Sequence, residues 1–130
     1  MSYHDHPSPA VFSQHHSHPE CISGLSDAAY NLILESNKDW SREVVYLCIG
    51  TDRATGDCLG PLVGNRLQLL IPSAHIFGYL EKPLHALNLV DTMQDIYSQF
   101  TNPLVIAIDA SLGGREKVGF LSIKRGPLAP

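Results

Sequence analysis

The amino-acid sequence predicts an α/β domain: a mainly parallel sheet flanked by helices. Three observations carry this. Short apolar runs rich in β-branched residues alternate with longer segments of helical periodicity. Glycine, proline and asparagine punctuate nearly every junction between them. Two of the apolar runs, EVVYLCI and LVIAID, are apolar on both alternating faces, as strands buried on both sides require.

The elements follow in order. Residues 1–24 form a His/Pro-rich segment holding five of the seven histidines and no apolar periodicity. Little in it would offset the entropy of ordering, so it is expected to be a disordered tail. Residues 25–42 are expected to supply a short helix and a linker, with Ser26 or Asp27 as cap and Tyr30, Ile33 and Leu34 on one face. Residues 43–130 hold the organised α/β domain. EVVYLCI is its first strand, and Gly50 opens the loop GTDRATGD. CLGPLVGNRLQLL reads as a helix with Pro61 in its first turn and Val63, Leu67 and Leu70 at helical spacing. AHIFGYL is the second strand. Asn88 is placed to cap a helix whose stripe is Leu89, Met93, Ile96, Tyr97 and Phe100, and Asn102-Pro103 ends it. LVIAID is the third strand, SLGGREK a turn, and VGFLSI a fourth strand.

Composition narrows the function. The formal net charge is -4, and nine scattered Lys and Arg residues provide no phosphate-binding stripe, so direct nucleic-acid binding is not expected. Three cysteines without CxxC spacing argue against a disulfide framework or a Cys-rich zinc site, which suits a reducing, cytoplasmic compartment. No apolar run approaches the ~20 residues that span a bilayer, so no membrane partner is expected.

In an open parallel sheet, ligands bind outside the carboxyl ends of the strands, at the point where neighbouring connections diverge. Right-handed crossovers can set the second and third strands on opposite sides of the first. That 2-1-3 order brings Asp57, in the loop after the first strand, toward Asp109, at the end of the third. Two carboxylates held close cannot easily both ionise, so one stays protonated while the other accepts protons. The pair could activate a water and protonate a leaving group, or hold a divalent metal. Asp57 also suits a plain helix cap. His85, near the end of the second strand, could line the same crevice and bind substrate, or be an ordinary loop histidine. Cys58 beside Asp57 offers a thiol near a helix start, but no partner base is identifiable. The loop lacks GK[ST] and GxGxxG, and Asp57 would repel phosphate, so a nucleotide site is not expected.

GTDRATGDCLGPLVG, EKPLHALNL, VIAIDASLGG and the final GPLAP together resemble the YyaC family of spore-protease-like proteins. That family is similar to germination protease and, more distantly, to hydrogenase-maturation endopeptidases of phosphorylase/hydrolase-like fold. The resemblance runs from about Val44 to Pro130. It implies a peptidase acting in sporulation or germination, in the cytoplasm or forespore, on protein or peptide substrates such as small acid-soluble spore proteins. The essential acids of germination protease fall on Asp57 and Asp109, with no cofactor required. The maturation endopeptidases imply instead a divalent metal on Asp57 and Asp109, although their later histidine ligand has no match here. A catalytically inactive ligand-binding or interaction protein of sporulation is the remaining alternative. The resemblance further implies that the domain lacks its C-terminal part.

Overall fold

The computed structural model describes residues 9–53, 55–110 and 115–126. The chain divides into two compact units: Met1–Lys38 with Leu112–Ala129, and Asp39–Ser111 with Pro130. Among the described residues the fold is mixed α/β, with three α-helices, a two-stranded antiparallel sheet and a three-stranded parallel sheet.

The second unit carries the parallel sheet. Its strands are β2 (Val44–Cys48), β3 (His75–Phe77) and β4 (Leu104–Ile108), in the order β3-β2-β4. The expected 2-1-3 arrangement is therefore present. β2 lies in the middle because both of its edges are paired: Val45 with His75 on one side and with Val105 on the other. Val45 and Leu47 on one face and Cys48 on the other expose no surface, while Val44 and Tyr46 are half-buried. At the amino end, the Arg42 guanidinium donates to the carbonyls of Asn102 and Pro103, at 3.0 Å each, tying the entries of β2 and β4 together.

Two helices accompany this sheet, α2 (Leu59–Leu70) and α3 (Leu89–Gln99). α3 contributes Leu89 and Ile96 to a core with Val45, Leu47 and Leu84, and Met93 and Phe100 pack around it. Tyr97, expected in that stripe, is instead exposed. α2 differs more from expectation. Its buried positions are Gly60, Pro61 and Gly64, while Leu70 is exposed. Small residues let the helix backbone lie directly on the carbonyls of Ile49 and Gly78, where any Cβ would collide. Close backbone approach, rather than a broad apolar stripe, seats this helix.

The first unit corrects the expectation of a disordered segment over residues 1–24. Ala10–His15 form a strand, β1, and Cys21–Ser36 a helix, α1; residues 1–8 lie outside the described residues. β1 pairs antiparallel with β5 (Phe120–Lys124), from Ala10 opposite Lys124 to His15 opposite Phe120. The fourth expected strand thus exists, but it does not extend the parallel sheet. α1 begins well before Ser26. Its buried or half-buried positions are Cys21, Gly24, Leu25, Ala28, Ala29, Leu32, Ile33, Leu34 and Ser36, which largely follow a 3.6-residue pattern and include the expected Ile33 and Leu34, whereas Tyr30 faces outward. The Phe12 ring sits against Gly24, in space that a side chain there would occupy. Arg125 and Glu35 form an exposed ion pair at 2.7 Å. The expected turn SLGGREK lies outside the described residues over 111–114, and its last three residues form a 3₁₀ turn.

Candidate functional site at the carboxyl end of the parallel sheet

Past Cys48 the β2 chain reaches Ile49 and Gly50, whose neighbours on both sides are fixed by the main chain. On the β4 side, the Ile49 N–H donates to the Ile108 carbonyl at 2.8 Å, which sets Asp109 beside the end of β2. On the β3 side, Ile49 bridges to Leu84 and the Gly50 N–H donates to the Leu84 carbonyl at 2.8 Å, which sets His85 at the same end.

Asp57 comes to this end by a tight return of the loop. A 3₁₀ turn over Thr55–Asp57 precedes α2, and the Asp57 carbonyl accepts the Thr51 N–H at 3.0 Å. The same carbonyl fills the space beside Gly50, whose φ of +145° and lack of a Cβ permit the approach. Ala54, within this loop, lies outside the described residues. The plain capping role open to Asp57 is not realised: its carboxylate accepts no hydrogen bond among the described residues, and α2 starts without a side-chain cap from Cys58.

The two carboxylates sense one another. The Asp109 carboxyl is raised above the ordinary aspartate value, first by burial and second by the negative charge of Asp57. The Ala110 N–H opposes these effects by bonding the ionised form. Both aspartates still reach solvent. Burial and solvent contact are compatible here, because protein covers enough of the Asp109 carboxyl to penalise its charge while leaving a face open. The arrangement favours the protonated form of Asp109 more than an isolated aspartate's surroundings would.

His85 is half-buried. Its Nδ1 accepts the Leu87 N–H at 3.2 Å, and its backbone N–H donates to the Asn88 side-chain oxygen at 2.8 Å. None of its described contacts is to Asp57 or Asp109. Asn88 precedes α3 but makes no side-chain cap there. Its amide turns back to the preceding loop, and its Nδ2 donates to the Pro83 carbonyl at 3.1 Å. Position before an apolar stripe pointed to a cap, and only the fold of the loop shows the other use.

Among the described residues, no group of three or more His, Cys, Asp or Glu side chains gathers as a metal site would require. The Asp57–Asp109 pair alone does not complete a ligand set of the maturation-endopeptidase kind. Cys58 is half-buried at the start of α2, whereas Cys21 and Cys48 are buried. Burial pushes the Cys48 thiol up to about 11, which makes it an inert core residue. No helix among the described residues is long and apolar enough to cross a membrane.

Comparison with known proteins places this geometry in a family. The chain is 49% identical over 90 residues to the "Uncharacterized protein YyaC" of Bacillus subtilis (strain 168), a match that covers 68% of this chain and 44% of that relative. The matched stretch is thus less than half of the relative's length. No solved structure matches the chain. Residues 15–130 match the family described as "Protein of unknown function (DUF1256)", a span that takes in Asp57, His85 and Asp109, and the chain belongs to that family.

Proposed function

We propose that this chain carries the acid–base centre of a peptidase of phosphorylase/hydrolase-like fold, with Asp57 as the base and Asp109 as the acid. The observation that carries this reading is the raised carboxyl of Asp109, produced by burial and by the Asp57 charge at the carboxyl end of a parallel sheet. Amide hydrolysis by a carboxylate pair needs one carboxyl that can give a proton and one that can take it. Asp57 removes a proton from a water molecule, and the water oxygen bonds to the carbonyl carbon of the scissile amide. Asp109 gives its proton to the carbonyl oxygen. Collapse of the tetrahedral intermediate breaks the C–N bond; Asp57 passes the proton it took from water to the leaving amine, and Asp109 regains a proton from a hydroxyl of the intermediate. The products are a carboxylic acid and an amine, and each aspartate returns to its starting state.

Resemblance of the GTDRATGDCLGP and VIAIDASLGG segments to germination protease supports a role in sporulation or germination, with small acid-soluble spore proteins as substrates. The test is cleavage of such a protein by a full-length family member and by its variants at the two aspartates. Asp57→Asn and Asp109→Asn should each abolish cleavage without loss of the folded signal in circular dichroism. Cleavage at the unaltered rate in either variant overturns the assignment.

A further inference from the structure

The loop after β3 is ordered in a way that a merely connecting segment does not need. Asn88 uses both ends of its side-chain amide on it: the oxygen accepts from His85 N–H at 2.8 Å, and the nitrogen donates to the Pro83 carbonyl at 3.1 Å. The His85 carbonyl accepts the N–H groups of Asn88 and Leu89, at 3.1 and 2.9 Å. The backbone of His85 is therefore held from both sides. Its ring is held as well, because Nδ1 accepts the Leu87 N–H.

A ring nitrogen that accepts a hydrogen bond carries no proton. A neutral imidazole has one proton, so it resides on Nε2. Among the described residues Nε2 has no hydrogen-bond partner, which leaves a fixed donor at the end of the sheet where Leu84 is tied to Gly50.

We propose that His85 is a neutral Nε2–H donor to the carbonyl oxygen of a bound peptide, and that Asn88 is its positioning residue. The inference rests on the peptidase reading of the same crevice. In this role His85 stabilises negative charge as it develops on the carbonyl oxygen, and Asn88 acts only by fixing the loop and the tautomer.

The tautomer is read directly by long-range ¹⁵N–¹H correlation NMR on the labelled full chain at pH 8. His85 should show the Nε2–H pattern. Asn88→Ala should convert it to an averaged or Nδ1–H pattern, and Asn88→Asp, which keeps the acceptor for His85 N–H, should restore it. His75, whose Nε2 bonds Glu43 at 3.1 Å, serves as an unaffected internal reference. An Nδ1–H pattern in the unaltered chain overturns the proposal, as does an unchanged pattern in Asn88→Ala. Should Asn88→Ala not fold, the unaltered chain still decides the tautomer. In cleavage assays with a full-length family member, His85→Gln should lower kcat about 10²-fold with KM little changed, the cost of losing one such donor. An unchanged kcat alongside inactive aspartate variants overturns the His85 role and leaves the peptidase reading intact. Absence of any cleavage removes the peptidase reading and the substrate role together, while the NMR pattern decides the tautomer independently.

Discussion

Replacing Gly50 by alanine tests how the loop that carries Asp57 is held. Gly50 is buried, with a φ of +145°, and an added Cβ would collide with the Asp57 carbonyl and lie 3.0 Å from Pro61 Cδ. Both neighbours are stiff: one is backbone, the other a ring in the first turn of α2. Holding a non-glycine residue at such a φ costs on the order of 1–3 kcal/mol. Moving the Asp57 carbonyl away also strains the Thr51–Asp57 hydrogen bond of 3.0 Å, worth about 0.5–1.5 kcal/mol. Together these place the destabilisation of Gly50→Ala at about 2–4 kcal/mol. Gly56→Ala is the control, since nothing lies within 4 Å of the Cβ it would add. Its effect should fall within about 1 kcal/mol of zero, with stabilisation expected from the reduced freedom of the unfolded chain. Urea denaturation of the three proteins, analysed by linear extrapolation, measures the difference. A Gly50→Ala cost below about 0.5 kcal/mol, or equal costs for the two glycines, would refute the clamp between Gly50 and Asp57.

Further predictions follow from the aspartate pair and the core. Because the folded state raises the Asp109 carboxyl, that state binds the proton more tightly than the unfolded chain does. Stability therefore falls as pH rises from the ordinary aspartate value through the raised one, then levels off. Asp109→Asn should accordingly be more stable than the unaltered protein at pH 7 and lose that advantage below about pH 4, the unfolded aspartate range; a pH-independent difference in urea midpoints would contradict this. Leu47→Ala removes a fully buried side chain from the centre of β2 and should cost about 2–5 kcal/mol in the same assay. Cys48, with its thiol pushed up to about 11, and buried Cys21 should resist a thiol reagent at pH 8 until the protein unfolds, leaving Cys58 as the first to react. Mass spectrometry of the labelled chain identifies the order.

Much of the second unit was legible in the sequence because its signals are local or follow from chain handedness. The apolar runs marked β2 and β4, and the order β3-β2-β4 is the one expected from the general preference for right-handed crossovers. Asp57 and Asp109 could be assigned to one end of the sheet from their places after β2 and β4 alone. The first unit was illegible for the opposite reason. β1 looks polar and unstructured by itself, and its backbone groups are satisfied by β5, which lies more than a hundred residues away in sequence. A composition argument cannot register a partner of that kind. It equally misjudged β5, whose apolar pattern announced a strand but not which sheet it joins.

At the candidate site the division is finer. Residue type and position suggested the two aspartates as an acid–base pair, the reading proposed above. Tertiary structure decided that the Asp109 carboxyl is raised, because burial and the neighbouring charge depend on how closely the surrounding loops pack. It also decided that Asn88 serves the His85 loop rather than capping α3, since a short amide can reach either way and only the path of the backbone selects the partner. The sequence by itself thus determined which chemical groups arrive at the carboxyl end of the sheet. The raised carboxyl of Asp109 and the hold on the His85 loop are tertiary properties, set by solvent exclusion and by hydrogen bonds that the linear pattern does not encode.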